Sequence, residues 1–73
     1  MDRRRARTRE ALLSAGRTLF SVRDVDGVSV DEIVAQADVA KGSFYNHFAD
    51  KDVFAREIVS AVRRQAEQAV DMA

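Results

Sequence analysis

Lys41, Gly42, Ser43, Tyr45, Asn46 and His47 fall within one run of seven residues. The set holds a cation, two hydroxyls, a carboxamide and an imidazole. Gly42 lets the backbone lie close to whatever faces it. No nucleophile in the run stands in a recognisable arrangement with a base, so covalent catalysis has nothing to start from. The groups suit phosphate oxygens and base edges instead. A lysine can donate to G O6 and N7 and an asparagine can pair with A N6 and N7, so Lys41, Ser43 and Asn46 are the candidate base readers. Tyr45 and His47 are candidate phosphate contacts. Lys51 joins them, because it stands at a helix start where free backbone N–H groups and its ammonium form an anion site.

The elements that must hold this surface are legible around it. Ser29 followed by Glu32 has the spacing of a capping box, with Ser29 Oγ accepting from the Glu32 N–H and the Glu32 carboxylate reaching back to the Ser29 N–H. Val30, Ile33, Val34 and Ala37 then give a two-turn helix one apolar face. Asp38, Val39 and Ala40 break the period. A second short helix follows from Lys41, with Phe44 and Phe48 on its inner side. Two short helices joined by three residues are a helix-turn-helix over residues 29–48, with Val39 plugging the turn.

Upstream, Thr8 is a possible N-cap for a helix running to about Val22, with Leu12, Ala15, Leu19 and Phe20 facing inward. Gly16 lies on that face and costs about 0.5–1 kcal/mol relative to alanine, so its presence predicts close approach of another helix. Gly27, after Asp24 and Asp26, is expected to turn the chain with positive φ. Downstream, Asp50 caps the longest helix, whose stripe is Val53, Phe54, Ile58, Ala61 and Val62. Beyond it the pattern thins to Ala66, Ala69 and Val70, as in a helix leaving the domain.

The 73 residues make one small domain, without proline or cysteine. No disulfide or cysteine zinc site is possible, which suits a cytoplasmic location. His47 is the single histidine, so neither a metal site nor a cofactor is expected, and the chain is not expected to be an enzyme. No apolar run approaches the roughly 20 residues of a membrane span. Net charge is zero, but its distribution is uneven. Arg3, Arg4, Arg5, Arg7 and Arg9 crowd the first nine residues, and Asp24, Asp26, Asp31, Glu32 and Asp38 the middle. Residues 1–8 therefore read as a basic arm, disordered in isolation, with Arg3, Arg4, Arg5 and Arg7 available to phosphates or the minor groove.

The residues Leu19-Phe20, Val30-Asp31-Glu32-Ile33-Val34, Val39-Ala40-Lys41-Gly42-Ser43-Phe44-Tyr45-Asn46-His47-Phe48 and Lys51-Asp52 together resemble the tetracycline-repressor (TetR) family of transcription regulators. The resemblance covers residues 9–58, and the K-G-S-F-Y-N-H-F run with a lysine three residues on is its most specific part. It implies an all-α fold: a homeodomain-like three-helix DNA-binding domain at 9–48 and a connecting helix at 49–73, leading to a C-terminal domain outside this sequence. It implies phosphate contacts at Ser29, Tyr45, His47 and Lys51. It further implies a repressor that binds a palindromic double-stranded DNA operator, forms a homodimer through the C-terminal domain and answers there to a small-molecule effector. Three positions depart from the family pattern. Val28 replaces a hydroxyl residue, Asp38 a glycine, and Ala40 a Ser or Thr that would cap the recognition helix. Asp tolerates the left-handed conformation better than most non-glycine residues, so the turn is expected to survive at Asp38. The alternative is a helical protein-interaction module using the Ala66–Val70 face of the last helix.

Overall fold

The computed structural model describes residues 3–71, with side chains described as far as residue 61 and at residue 63. The expected stripe positions Val62, Ala66, Ala69 and Val70 lie outside the described side chains. Four α-helices follow one another: α1 (Arg3–Phe20), α2 (Val30–Ala37), α3 (Lys41–His47) and α4 (Lys51–Asp71). A 3-10 turn, Val25–Gly27, links α1 to α2. The described residues contain no strand, so the expected all-α class holds.

α1 begins at Arg3, ahead of the start that Thr8 suggested, and ends at Phe20. Arginine and alanine are both strong helix formers, and residues 3–8 contain no glycine or proline to stop the helix growing backward. Leu12, Ala15 and Gly16 form its buried face. Leu19 and Phe20 are only partly buried, packed against the core from its edge.

The core is aromatic. Phe44, Phe48 and Phe54 are fully or almost fully buried, with Leu12, Val28 and Ile33 around them. The Phe54 ring lies 5.2 Å from that of Phe44 and 4.8 Å from that of Phe48, both in edge-on geometry. Val28 is 1% exposed, which explains why an apolar residue is useful there. Val39 is half-buried against the cluster, in the plug position expected of it. Val53 is a correction: it is exposed. Phe54 and Ile58, four apart, define the inner line of α4, and Val53 sits a turn's quarter away from it.

Gly16 has the close neighbour that its position predicted. A Cβ there would stand 2.6 Å from Cε2 and Cζ of Phe54 and would also collide with Ile58 Cδ1. Gly16→Ala would gain about 1 kcal/mol of helix propensity but lose about 1–3 kcal/mol to overpacking. The fully buried Phe54 has nowhere to retreat, so the loss should win. Thermal melting should show a destabilised variant. A melting point equal to or above the parent would mean that α4 can slide outward freely.

The local caps follow the sequence closely, with one exception at Gly27. Ser29 Oγ accepts from the Glu32 N–H at 3.1 Å, as its spacing predicts. The Glu32 carboxylate interacts in return with the Ser29 backbone N–H, and it also pairs with Arg23. The Arg23 guanidinium holds the Glu32 carboxyl below its ordinary range. Gly27 does not take positive φ. The 3-10 turn reverses the chain without it, closed by the Gly27 N–H to Asp24 O at 2.9 Å. The left-handed residue is Asp38, with φ 58° and ψ 47°, ending α2 where a glycine is the usual solution. Ala40 precedes α3 with no side-chain cap. Asp50 Oδ1 accepts from the Val53 N–H at 2.9 Å and caps α4.

Candidate nucleic-acid interface

α3 turns Phe44 inward and leaves Lys41, Gly42, Tyr45 and Asn46 exposed, with Ser43 and His47 half-buried. One face of a seven-residue helix thus anchors in the aromatic core, and the opposite face carries the polar set. The Tyr45 ring stands edge-on to Phe44 at 5.1 Å while the residue stays 51% exposed, so its body packs and its hydroxyl meets solvent. A Cβ on Gly42 would meet nothing within 4 Å. No neighbour within the chain requires a glycine at that helical position, where it costs about 1 kcal/mol.

The first turns of α1 lie against α3 and make a shallow basic cleft. Arg4, Arg5 and Thr8 line it on one side, and Ser43, Asn46 and His47 on the other. Its continuation is lined by Arg5, Ala6, Arg9, Asn46 and His47. No acidic residue appears among the linings of either part. Partial burial lowers the His47 pKa, and the charges of Arg5 and Arg9 lower it further. At neutral pH the ring is therefore neutral, with one N–H to donate. Arg3 and Arg7 are exposed on the same helix. Arg9 is committed inward: it pairs with Glu57 at 3.3 Å and lies over the Phe48 ring, 4.8 Å from its centroid.

Two of the remaining predicted residues, Lys51 and Lys41, have partners that sequence alone did not indicate. Lys51 is half-buried, and its Nζ donates to the Val28 carbonyl at 3.0 Å. That bond ties the start of α4 to the strand-like residue just before α2. An ammonium has three donors, so the contact leaves Lys51 able to serve a second acceptor. Lys41 Nζ lies 3.0 Å from Asp31 Oδ1 on the first turn of α2. The carboxylate raises the Lys41 pKa above its ordinary value. Ser29, at the α2 N-cap, is exposed with its hydroxyl engaged by Glu32. α1, α2 and α3 thus bring together Arg4, Arg5, Ser43, Asn46 and His47 as one cluster and Asp31 with Lys41 as a second. Asp31 was not singled out in the sequence. Its only advance signal is an exposed carboxylate opening a helix next to a candidate reading helix.

Among the described residues no group of three or more His, Cys, Asp or Glu could hold a metal ion. No described helix is long and apolar enough to cross a membrane.

Residues 12–58 match the family described as bacterial regulatory proteins, tetR family. Among curated proteins, the chain is 40% identical over 55 residues to the HTH-type transcriptional repressor DhaR of Mycobacterium sp. (strain GP1), covering 75% of this chain and 28% of that protein. It is 38% identical over 58 residues to the transposon Tn10 TetC protein of Escherichia coli, covering 80% and 27%. It is 43% identical over 47 residues to the HTH-type transcriptional repressor NemR of Escherichia coli (strain K12), covering 64% and 24%. The chain therefore spans about a quarter of the length of these relatives. No solved structure matches it at a comparable level. The interaction-module reading of the last helix is not favoured by these matches.

Proposed function

The chain belongs to the tetR family of bacterial regulatory proteins, and from that premise we propose that it is the DNA-binding domain, residues 9–48 with a connecting helix at 49–73, of a cytoplasmic repressor. α3 enters the major groove of a double-stranded operator. The observation that carries this reading is the two-sided α3: an aromatic inner face and an uninterrupted polar outer face with an otherwise unexplained glycine at Gly42. Lys41, Ser43 and Asn46 face base edges, and Gly42 admits close backbone approach. Ser29, Tyr45, His47 and Lys51 hold phosphates on either side. Arg3, Arg4, Arg5 and Arg7 extend the phosphate track along α1, so the basic segment acts as a helical rim beside the cleft. The whole protein is a homodimer that reads a palindrome and answers to a small-molecule effector bound outside this chain. The names of the relatives, DhaR and NemR among them as transcriptional repressors, support the sign of regulation.

Phosphate contacts fix register and carry no sequence information. Tyr45→Phe, His47→Ala and Lys51→Ala should therefore weaken binding to all duplexes by similar factors. Lys51→Ala should also flatten the dependence of log K on log salt, because it removes a charge. His47→Ala should do so only at acidic pH, since partial burial, with the charges of Arg5 and Arg9 beside it, lowers the pKa of the ring. Ser43→Ala and Asn46→Ala should instead relax base preference, by about 1–3 kcal/mol where a bidentate contact is lost. The measurement is affinity for a selected site and a scrambled one at two salt concentrations, on the chain made dimeric by fusion after Ala73 to a dimerising helix pair. Lys51→Ala needs a thermal melt beside it, because it also loses the Val28 carbonyl bond. A tenfold change in the ratio of the two affinities for any of the first three variants would remove that residue from the phosphate set.

A further inference from the structure

We propose that Asp31 and Lys41 form a joint reader of a G·C base pair, which makes Asp31 a specificity-determining residue of the interface. The inference rests on the reading of α3 as the major-groove helix. Lys41 opens α3, and residues at the N-terminal end of such a helix meet base edges. Asp31, in the first turn of α2, brings its carboxylate to 3.0 Å from the Lys41 ammonium across the turn. The two side chains are 74% and 54% exposed, so the pair does little to hold the fold. What it does hold is the direction of a long, flexible side chain.

The chemistry of the pair matches one order of groups in the groove. A G·C pair presents two acceptors, G N7 and O6, and then the C N4 amino donor. An ammonium donating to guanine and a carboxylate accepting from cytosine complement that order. An A·T pair places the A N6 donor between two acceptors, and there a donor would face the ammonium. The pair is also neutral as a unit. Lys41 therefore adds little to the sequence-independent attraction that phosphates exert on a lone cation. An unpaired Asp31 facing DNA would repel it, so the carboxylate is tolerable only while it is bridged to Lys41 or to a base donor.

The test uses the chain made dimeric by fusion after Ala73 to a dimerising helix pair, as the parent, with Asp31→Ala, Lys41→Met and the double variant in the same fusion. Each is checked for folding by thermal melting, which so exposed a pair should not alter. Each is then used to select sites from a random-sequence duplex library and titrated onto the selected and a scrambled duplex. The parent should select a G·C pair at one position that Asp31→Ala no longer specifies, with discrimination there falling about tenfold. Asp31→Ala should bind the scrambled duplex more tightly, with a salt slope steeper by about 0.9 for each copy bound, because Lys41 is released to a phosphate. The double variant should return to the parent's slope. An unchanged consensus for Asp31→Ala overturns the inference. So does a gain in affinity that persists undiminished in the Lys41→Met background, which would be charge repulsion alone. A parent that enriches no sequence and binds no duplex overturns the DNA-binding reading itself, and the inference with it.

Discussion

Phe54→Ala should leave most of the chain unfolded. Phe54 is 0% exposed and sits where α4 meets both other packing surfaces of the domain. Its ring reaches Phe44 and Phe48 edge-on, Phe20 at 6.1 Å, and the face of Gly16. Removing a buried phenylalanine costs about 3–5 kcal/mol in lost transfer energy and residual cavity. A domain of this size keeps only about 3–5 kcal/mol of net stability. The gap cannot be closed by collapse, because the glycine opposite supplies no side chain to move in. The measurement is helicity by circular dichroism with a urea titration. Tyr45→Ala is the control: it also removes an aromatic ring, but one that is half exposed, and it should keep the domain folded. A cooperative transition for Phe54→Ala with stability within about 1 kcal/mol of the parent would mean that α4 is dispensable to the core.

The contrast between these two rings shows how far the sequence could be read. Most features that depend on neighbours in the chain were legible, the positive φ expected of Gly27 being the exception. Ser29 as a cap, Asp38 in the left-handed region and Asp50 at the start of α4 each follow from local backbone demands. The inward pairing of Phe44 with Phe48 follows from helical spacing, and Gly16 announced a close approach without naming Phe54. The features that were not legible are contacts between separate elements. Lys51 reaches the Val28 carbonyl, and Lys41 reaches Asp31, only once the angle between helices is set. Arg9 over Phe48 is of the same kind. The start of α1 was missed for another reason. A cluster of like charges argues for repulsion, while the intrinsic helix preference of arginine and alanine argues for order, and composition alone does not rank the two. That ranking matters to the candidate interface, since a helical Arg5 becomes a wall of the cleft beside His47.

Fusing the chain after Ala73 to a dimerising helix pair should raise its affinity for an inverted repeat by about 10² to 10⁴. One helix of seven residues reaches only a few base pairs, and phosphate contacts from the arginines of α1 would carry no sequence information. Lys41 is paired with Asp31, Arg9 with Glu57, and Lys51 with a carbonyl. A single copy should therefore bind weakly and largely without sequence preference, near the 10⁻⁴–10⁻⁶ M typical of electrostatic binding at physiological salt. The described outward residues of α4 give no strong self-association surface: Val53 and Val59 are exposed, but Arg56 and Arg63 flank them, and in the sequence residues 65–73 hold neither leucine nor isoleucine. Two copies held one helical turn of DNA apart, or a multiple of it, convert the second contact into an intramolecular one. The gain depends on geometry, so it should vanish when the two half-sites are moved apart by half a turn. Sedimentation of the unfused chain at micromolar concentration should find a monomer, and titration should find nearly equal affinity for a lone half-site and a palindrome. A stable dimer in sedimentation, or nanomolar binding to a lone half-site, would refute the requirement for a second copy supplied through a partner domain.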